Sequence, residues 1–290
     1  RAVALDSTYA AAWAGLARMT FRLSADGHPD SVAAARASAE AAVRKALALD
    51  DSLAEAHALY GVIRGMANDF TGAEQHLRRA LDLDPARTRI REWLVEFLLF
   101  AERPLEALAE AERAVALDPL SPSATAELAR ALAANDRCDE ALARLRAIAA
   151  LDPPLLRAAP IAAQCYGRQG KWAEAIAALE PQAKRGDDAA LALVGYLHGR
   201  AGNRAEALAI QAQLEDDRRR GAIGAYYLAF VPAGLGDRDQ AFAWLDRADE
   251  DGSLRFYPAR RMGVTVLPFD ALRQDPRMER LRARLGLQKR

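Results

Sequence analysis

The residues able to do chemistry in this 290-residue chain are few and scattered. His57 and His76 stand 19 apart (76 − 57). A zinc site needs further ligands at fixed spacing, and none accompanies them, so packing is the reading. Cys138 and Cys165 make no disulfide framework. They read as inert packing residues in a reducing compartment, which favours a cytoplasmic chain. No nucleophile motif, phosphate loop or paired His/Glu zinc motif occurs. Gly234-Leu235-Gly236-Asp237 has the spacing of a tight turn instead. The expectation is therefore no catalytic residue, no metal and no cofactor. What remains is non-covalent chemistry. Arginine forks at helical positions can grip carboxylates in pairs of hydrogen bonds.

The elements that would position those arginines come from a repeat. Arg79-Ala80-Leu81-Asp82-Leu83-Asp84-Pro85 recurs as Arg113-Ala114-Val115-Ala116-Leu117-Asp118-Pro119, 34 residues on (118 − 84). Leu151-Asp152-Pro153 follows after 34 more (152 − 118), and Lys45-Ala46-Leu47-Ala48-Leu49-Asp50 precedes by 34 (84 − 50). The chain opens on a further copy, Arg1 to Asp6, which reads as the tail of a preceding unit and the chain as a fragment. One marker at one spacing means a stacked array of one supersecondary unit. Helix breakers fall inside each unit at Asn68-Asp69, Arg103-Pro104 and Asn135-Asp136. Beyond Asp152 the marker fades, but the turns persist at Gly170-Lys171, Gly202-Asn203 and Gly236-Asp237. Their following alanines are spaced 32 (207 − 175) and 34 (241 − 207). Between Asp6 and Asp50 the first unit carries an insertion around Asp26-Gly27-His28-Pro29.

This unit resembles the tetratricopeptide repeat, a helix–turn–helix of 34 residues. With Pro85 at the family's position 32, positions 7, 8, 20, 24 and 27 hold Tyr60, Gly61, Ala73, Leu77 and Ala80. The next two units give Leu94, Val95, Ala107, Ala111 and Ala114, then Leu128, Ala129, Ala141, Leu145 and Ile148. Small residues at 8 and 20 suit two helices whose backbones cross closely. The resemblance implies an all-α, right-handed superhelical solenoid of about seven helix pairs over residues 1–251. Residues 252–290 are expected to form an irregular C-terminal cap, because an array must cover its last apolar face.

Composition excludes several classes. Forty basic residues balance forty acidic ones, so no global field draws the chain to nucleic acid or an anionic membrane. No run of 18 apolar residues and no signal peptide is present. The tail from Arg273 to Arg290 carries seven basic and two acidic residues, a local +5, but lacks the interleaved aromatics of a nucleic-acid surface.

A closer resemblance covers Trp13-Ala14-Gly15-Leu16-Ala17, Ala54-Glu55-Ala56-His57, Asn68 to Glu74, Leu81 to Pro85 and Phe269 to Met278. These resemble the C-terminal repeat regions of multidomain bacterial signalling proteins, whose N-terminal partner is a winged-helix regulator, a class III adenylate cyclase or a Ser/Thr kinase. The resemblance implies a protein- or peptide-binding scaffold that regulates an effector domain. In this fold the first helix of each unit lines the concave groove. The groove positions then include Arg18, Arg22, Met66, Glu92, Glu96, Phe100, Arg130, Gln164, Arg168, Tyr196, Arg200, Tyr226 and Phe230, with Arg157 alongside. Arg130, Arg168 and Arg200 form a predicted basic ladder for an acidic partner segment, with Glu92 and Glu96 toward the other end. Tyr226, Tyr227, Phe230 and Trp244 read as core or as an aromatic anchor. Two alternatives stand beside the scaffold: a self-association module, and a small-ligand sensor using the groove aromatics.

Overall fold

The computed structural model describes residues 2–23, 29–67, 69–149, 158–251, 253 and 272–284. A short helix α1 (Ala2–Leu5) precedes the pairs α2 (Ala10–Leu23) with α3 (Pro29–Leu49), and α4 (Ala54–Met66) with α5 (Phe70–Leu83). Then come α6 (Thr88–Phe100) with α7 (Pro104–Leu117), α8 (Pro122–Ala134) with α9 (Cys138–Ala149), and α10 (Ala158–Arg168) with α11 (Trp172–Ala183). The last pairs are α12 (Asp188–Ala201) with α13 (Arg204–Arg219), and a 3-10 turn, Ala225–Ala229, running into α14 (Phe230–Leu235) with α15 (Arg238–Glu250). Helix α16 (Pro276–Arg284) ends the described chain. No strand occurs among the described residues. The expected all-α solenoid of helix pairs is present.

Each helix packs on its partner, and successive first helices stack on one another: α2 on α4, α4 on α6, α6 on α8, α8 on α10, and α12 on α14. The small residues at repeat position 8 explain the close crossings. Ala17, Val95, Ala129, Ala163 and Ala229 are at most 1% exposed. A Cβ at Gly61 would lie 2.9 Å from the Ala73 carbonyl oxygen. Position 20 is equally closed, with Ala73, Ala107, Ala141, Ala175, Ala207 and Ala241 all at 0%. Side chains there have no room to grow.

Among the described residues, the turn inside a unit is one device seen five times. A residue with left-handed backbone stands at Glu102, Asp136, Gly170, Gly202 and Gly236. The intervals are 34, 34, 32 and 34 (136 − 102, 170 − 136, 202 − 170, 236 − 202). The next N–H reaches back five residues in each case, Arg103 to Leu98 O at 2.8 Å and Arg137 to Leu132 O at 2.9 Å among them. This is the Schellman closure of a helix end. Asp69 and Asp237 cap the second helices α5 and α15, and Ser121 and Asp187 cap the first helices α8 and α12; each side chain accepts from the N–H three residues on.

The turn between units changes type along the chain, which explains the fading marker. After α5 and α7 the chain leaves through Asp84 and Asp118 at φ −139. After α11 and α13 it leaves through Gly186 and Gly221 at φ 88 and 73. A glycine closure needs no Asp-Pro.

The last first helix departs from expectation. Its opening turn is 3-10 because Pro232 has no N–H to give the Leu228 carbonyl, so the helix restarts at Phe230. Asp251 and Ser253 cap it from behind: Ala225 N–H donates to Asp251 Oδ2 and Tyr226 N–H to Ser253 Oγ, each 3.2 Å.

The core divides into stretches. One runs from α4 to α10 and includes Phe97, Leu128 and Cys165. Another runs from α10 to α16 and includes Leu197, Phe230, Leu245, Met278 and Leu281. A smaller one joins α2, α3 and α4. The two large ones meet in α10, where Tyr166 packs against both. The expected irregular stretch at Phe256–Pro268 lies outside the described residues, as do the Phe269–Ala271 part of the closer resemblance, Arg157, and the insertion at Asp26–His28.

Candidate recognition face

Stacked first helices bring their side chains into one row. Arg18 Nη1 donates to Glu55 Oε1 across α2 and α4 at 2.7 Å, and Arg87 Nη2 approaches Glu55 Oε2 at 3.8 Å. Ser123 Oγ donates to Glu92 Oε1 across α6 and α8 at 2.5 Å, while Arg89 Nη1 donates to Glu92 Oε2 at 3.1 Å. Glu92 is thus buried and held by two donors. Glu96 and Phe100 remain half-buried, the latter stacked on Phe70 at 5.5 Å between centroids.

The predicted basic ladder is quenched. Arg130 donates to the buried Glu127 carboxylate. Burial pulls its pKa down, but Glu127 and the nearby Glu96 outweigh burial and hold it above the usual arginine value. Arg168 donates to the Ala133 carbonyl and, at 2.9 Å, to Asp136 Oδ1, so it fastens α10 to the turn of the preceding unit. Only Arg200 of that set is exposed, with its guanidinium 5.3 Å from the Trp172 ring centroid. Two of the three ladder arginines are therefore each paired with a carboxylate of this chain.

The aromatic positions are also closed. Tyr196, Tyr226 and Phe230 are 3%, 1% and 0% exposed, and Met66 is buried. Tyr226 and Phe230 meet edge to face at 5.1 Å. Burial pushes the Tyr226 hydroxyl well above its ordinary pKa. They are core of the last unit, as one of the two readings held, and they offer a ligand no surface. Tyr227 and Trp244 pack against the same core, partly exposed. Gln164 is half-buried.

What the face does expose is Arg18, Arg22, Arg89 and Arg200. Arg89 was missed, although it occupies repeat position 2, one of the groove positions. Its guanidinium lies 5.7 Å from the Trp93 ring centroid. A ring under a guanidinium fixes its plane and lowers the entropy lost on binding.

His57 and His76 do meet. Their Nδ1 atoms are 2.9 Å apart, and His57 Nε2 faces the Asp51 carbonyl oxygen at 3.0 Å. One Nδ1 must donate and the other accept, so at least one ring is neutral. Among the described residues no group of three or more His, Cys, Asp or Glu could hold a metal ion, and no helix is long and apolar enough to cross a membrane.

The stacked helix pairs with small residues at both crossings form a solenoid of the kind seen in tetratricopeptide-repeat structures. Comparisons with known proteins agree. A family model described as anaphase-promoting complex, cyclosome, subunit 3 matches residues 106–182. A tetratricopeptide repeat protein from Parabacteroides merdae superposes with a TM-score of 0.59 at 14% identity, over 82% of this chain and 94% of that one. PilF of Pseudomonas aeruginosa superposes with a TM-score of 0.52 at 20% identity, over 71% and 93%. These likenesses are of fold. A comparison with curated proteins gives no match.

Proposed function

We propose that this chain is a non-catalytic module that binds an acidic segment of a protein partner along its first-helix face. The observation that carries the reading is the set of exposed guanidiniums on first helices, two of them seated over tryptophan rings. Arg22, Arg89 and Arg200 supply charge-assisted hydrogen bonds, each contributing about 1.5–3 kcal/mol to a carboxylate. The closer resemblance to signalling proteins supports a regulatory role for this binding beside an effector domain. The test selects binders from a displayed library of short random peptides and measures them by calorimetry. Selected peptides should be rich in Asp and Glu and should weaken with salt. Arg89→Glu combined with Arg200→Glu should abolish binding while circular dichroism stays unchanged. Peptides that bind the double variant as tightly as the parent would overturn the assignment.

Self-association is a second reading with its own observation. Tyr9, just before α2, and Leu16 and Met19 of α2 are 57%, 42% and 53% exposed. Apolar patches of this kind pair with another surface. If two copies meet there, light scattering should show a dimer that Leu16→Asp with Met19→Asp reduces to a monomer. A monomeric parent chain removes this reading.

A further inference from the structure

We propose that Cys138 and Cys165 form a reversible intramolecular disulfide, made by a hydroperoxide, that staples the fourth helix pair to the fifth. Sequence alone reads these thiols as inert, but the fold brings them together. Cys138 is the first residue of α9 and Cys165 lies in α10, and α9 packs on α10. Arg168 and Gln169, one turn after Cys165, donate to Asp136 and Asp139 on either side of Cys138. Both side chains are buried in the same core stretch, Cys138 with 7% of its surface open and Cys165 with none.

The surroundings divide the work between them. Cys138 stands at a helix N-terminus, where unpaired N–H groups favour a thiolate. The hydrogen bond from Cys165 holds the Cys138 thiol below its ordinary pKa. Arg168 adds to this, against burial, Asp136 and Asp139. The same bond, together with burial, pushes Cys165 up. Arg168 is kept beside the pair by its bonds to Ala133 O and Asp136, and Gln169 Nε2 ties α10 to α9 through Asp139 Oδ1 at 2.9 Å. Cys138, the one nearer solvent, is thus the nucleophile and Cys165 the protonated resolving partner.

The chemistry balances with one equivalent of hydrogen peroxide. Cys138 Sγ attacks one peroxide oxygen, the O–O bond breaks, and the leaving hydroxide takes the thiol proton as water. That leaves a sulfenic acid on Cys138. Cys165 Sγ then attacks Cys138 Sγ, the S–O bond breaks, and the departing hydroxide takes the Cys165 proton as a second water. Two thiols are oxidised by two electrons and the peroxide is reduced. A dithiol reverses the reaction by exchange.

The position gives the staple a consequence. The pair sits at α10, where the two large core stretches meet. Units of a solenoid touch only their neighbours, so curvature is set at each junction. A bond across this junction fixes the angle between the two halves of the recognition face.

The experiment exposes the full reduced chain to one equivalent of hydrogen peroxide under native conditions. Intact mass should fall by two hydrogens, and a non-reducing peptide map should join the Cys138 and Cys165 peptides. Dithiothreitol should restore both thiols. Hydrogen exchange in α9 and α10 should slow on oxidation. Cys165→Ser should stop at a sulfenic acid on Cys138, trapped by dimedone, whereas Cys138→Ser should leave Cys165 untouched. Two titratable thiols after exposure, sulfinic acid without a cross-link, a bond between chains, or unchanged exchange across α9 and α10 would each overturn the proposal. The peptide map on the parent chain decides the matter even where a serine variant fails to fold.

Discussion

Gly199 of α12 and Gly234 of α14 let two backbones touch. A Cβ at Gly199 would lie 2.7 Å from the Gly234 carbonyl carbon, and one at Gly234 would strike the Tyr196 carbonyl. Backbone cannot rotate away as a side chain can. Gly234→Ala should therefore cost about 1–3 kcal/mol through overpacking. Gly65 is the control. A Cβ there meets Ala73 Cβ at an ordinary 3.5 Å, so Gly65→Ala should be neutral or gain up to about 1 kcal/mol of helix propensity. Urea melts of the two variants check the contrast. Equal losses would remove the close-approach argument. His76 gives a pH prediction. Burial, then His57 and Arg64, lower its pKa from 6.5, against Asp51 and Asp69. The folded chain thus binds fewer protons than the unfolded chain just below 6.5. Stability should be level above that value and fall as pH drops through it, until the folded ring also protonates. His76→Gln should flatten this part of the stability curve. Sequence could place His57 and His76 in the two helices of one unit, but not their ring contact. That contact depends on the rotation of α5 about its axis, which no spacing rule supplies.

Between residues and the whole lie the turns. Sequence marked them by their breakers, and those positions hold because the left-handed residue is dictated by the helix end, whatever its side chain. Glycine fills the place at 170, 202 and 236, while Glu102 and Asp136 tolerate it. An L side chain in that region costs about 1–2 kcal/mol. Gly202, at φ 84 with nothing near its absent Cβ, isolates this cost from packing. Gly202→Ala should lower stability by about that amount, read from a denaturant melt at unchanged slope. No loss would mean that the turn relaxes to another closure. The first-helix register was equally legible, since Ala, Gly and Val at position 8 fix which side of each helix faces its partner. The accessibility of the groove residues was not. Arg130 has Glu127 three residues before it, one helical turn away, and that pair was readable in principle. Arg168 is tied to a carbonyl two helices back, and Tyr226 is enclosed by caps from Asp251 and Ser253. Those contacts exist only once neighbouring units are stacked.

At the scale of the whole array, the ends carry the risk, because each unit is covered only by its neighbours. The capping role we propose for residues 252–290 rests on α16. Leu272, Met278 and Leu281 are at most 4% exposed and join the core of Phe242 and Leu245. Arg277 Nη1 donates to Asp239 Oδ1 at 2.7 Å and its guanidinium lies 4.3 Å from the Phe242 ring centroid. Arg284 Nη2 donates to Asp246 Oδ1 at 2.6 Å. On its other side Arg282 pairs with Glu102, in the turn between α6 and α7 four units back. A simple end cap would touch only the last unit. Removing residues 272–290 should therefore raise hydrogen exchange first in α14 and α15, where each uncovered apolar side chain forfeits about 1.5–3 kcal/mol of burial. The loss should fade through α12 and leave α4 and α8 protected. The turn at Glu102 should loosen as well, out of sequence with that gradient. Arg282→Ala should reproduce the loosening at Glu102 alone, with a stability cost below about 1 kcal/mol for a partly exposed pair. If truncation leaves exchange at Glu102 and Arg103 unchanged, α16 caps the end of the array and nothing more. If α14 and α15 keep their protection without it, the array closes on its own last helix pair and the cap assignment fails.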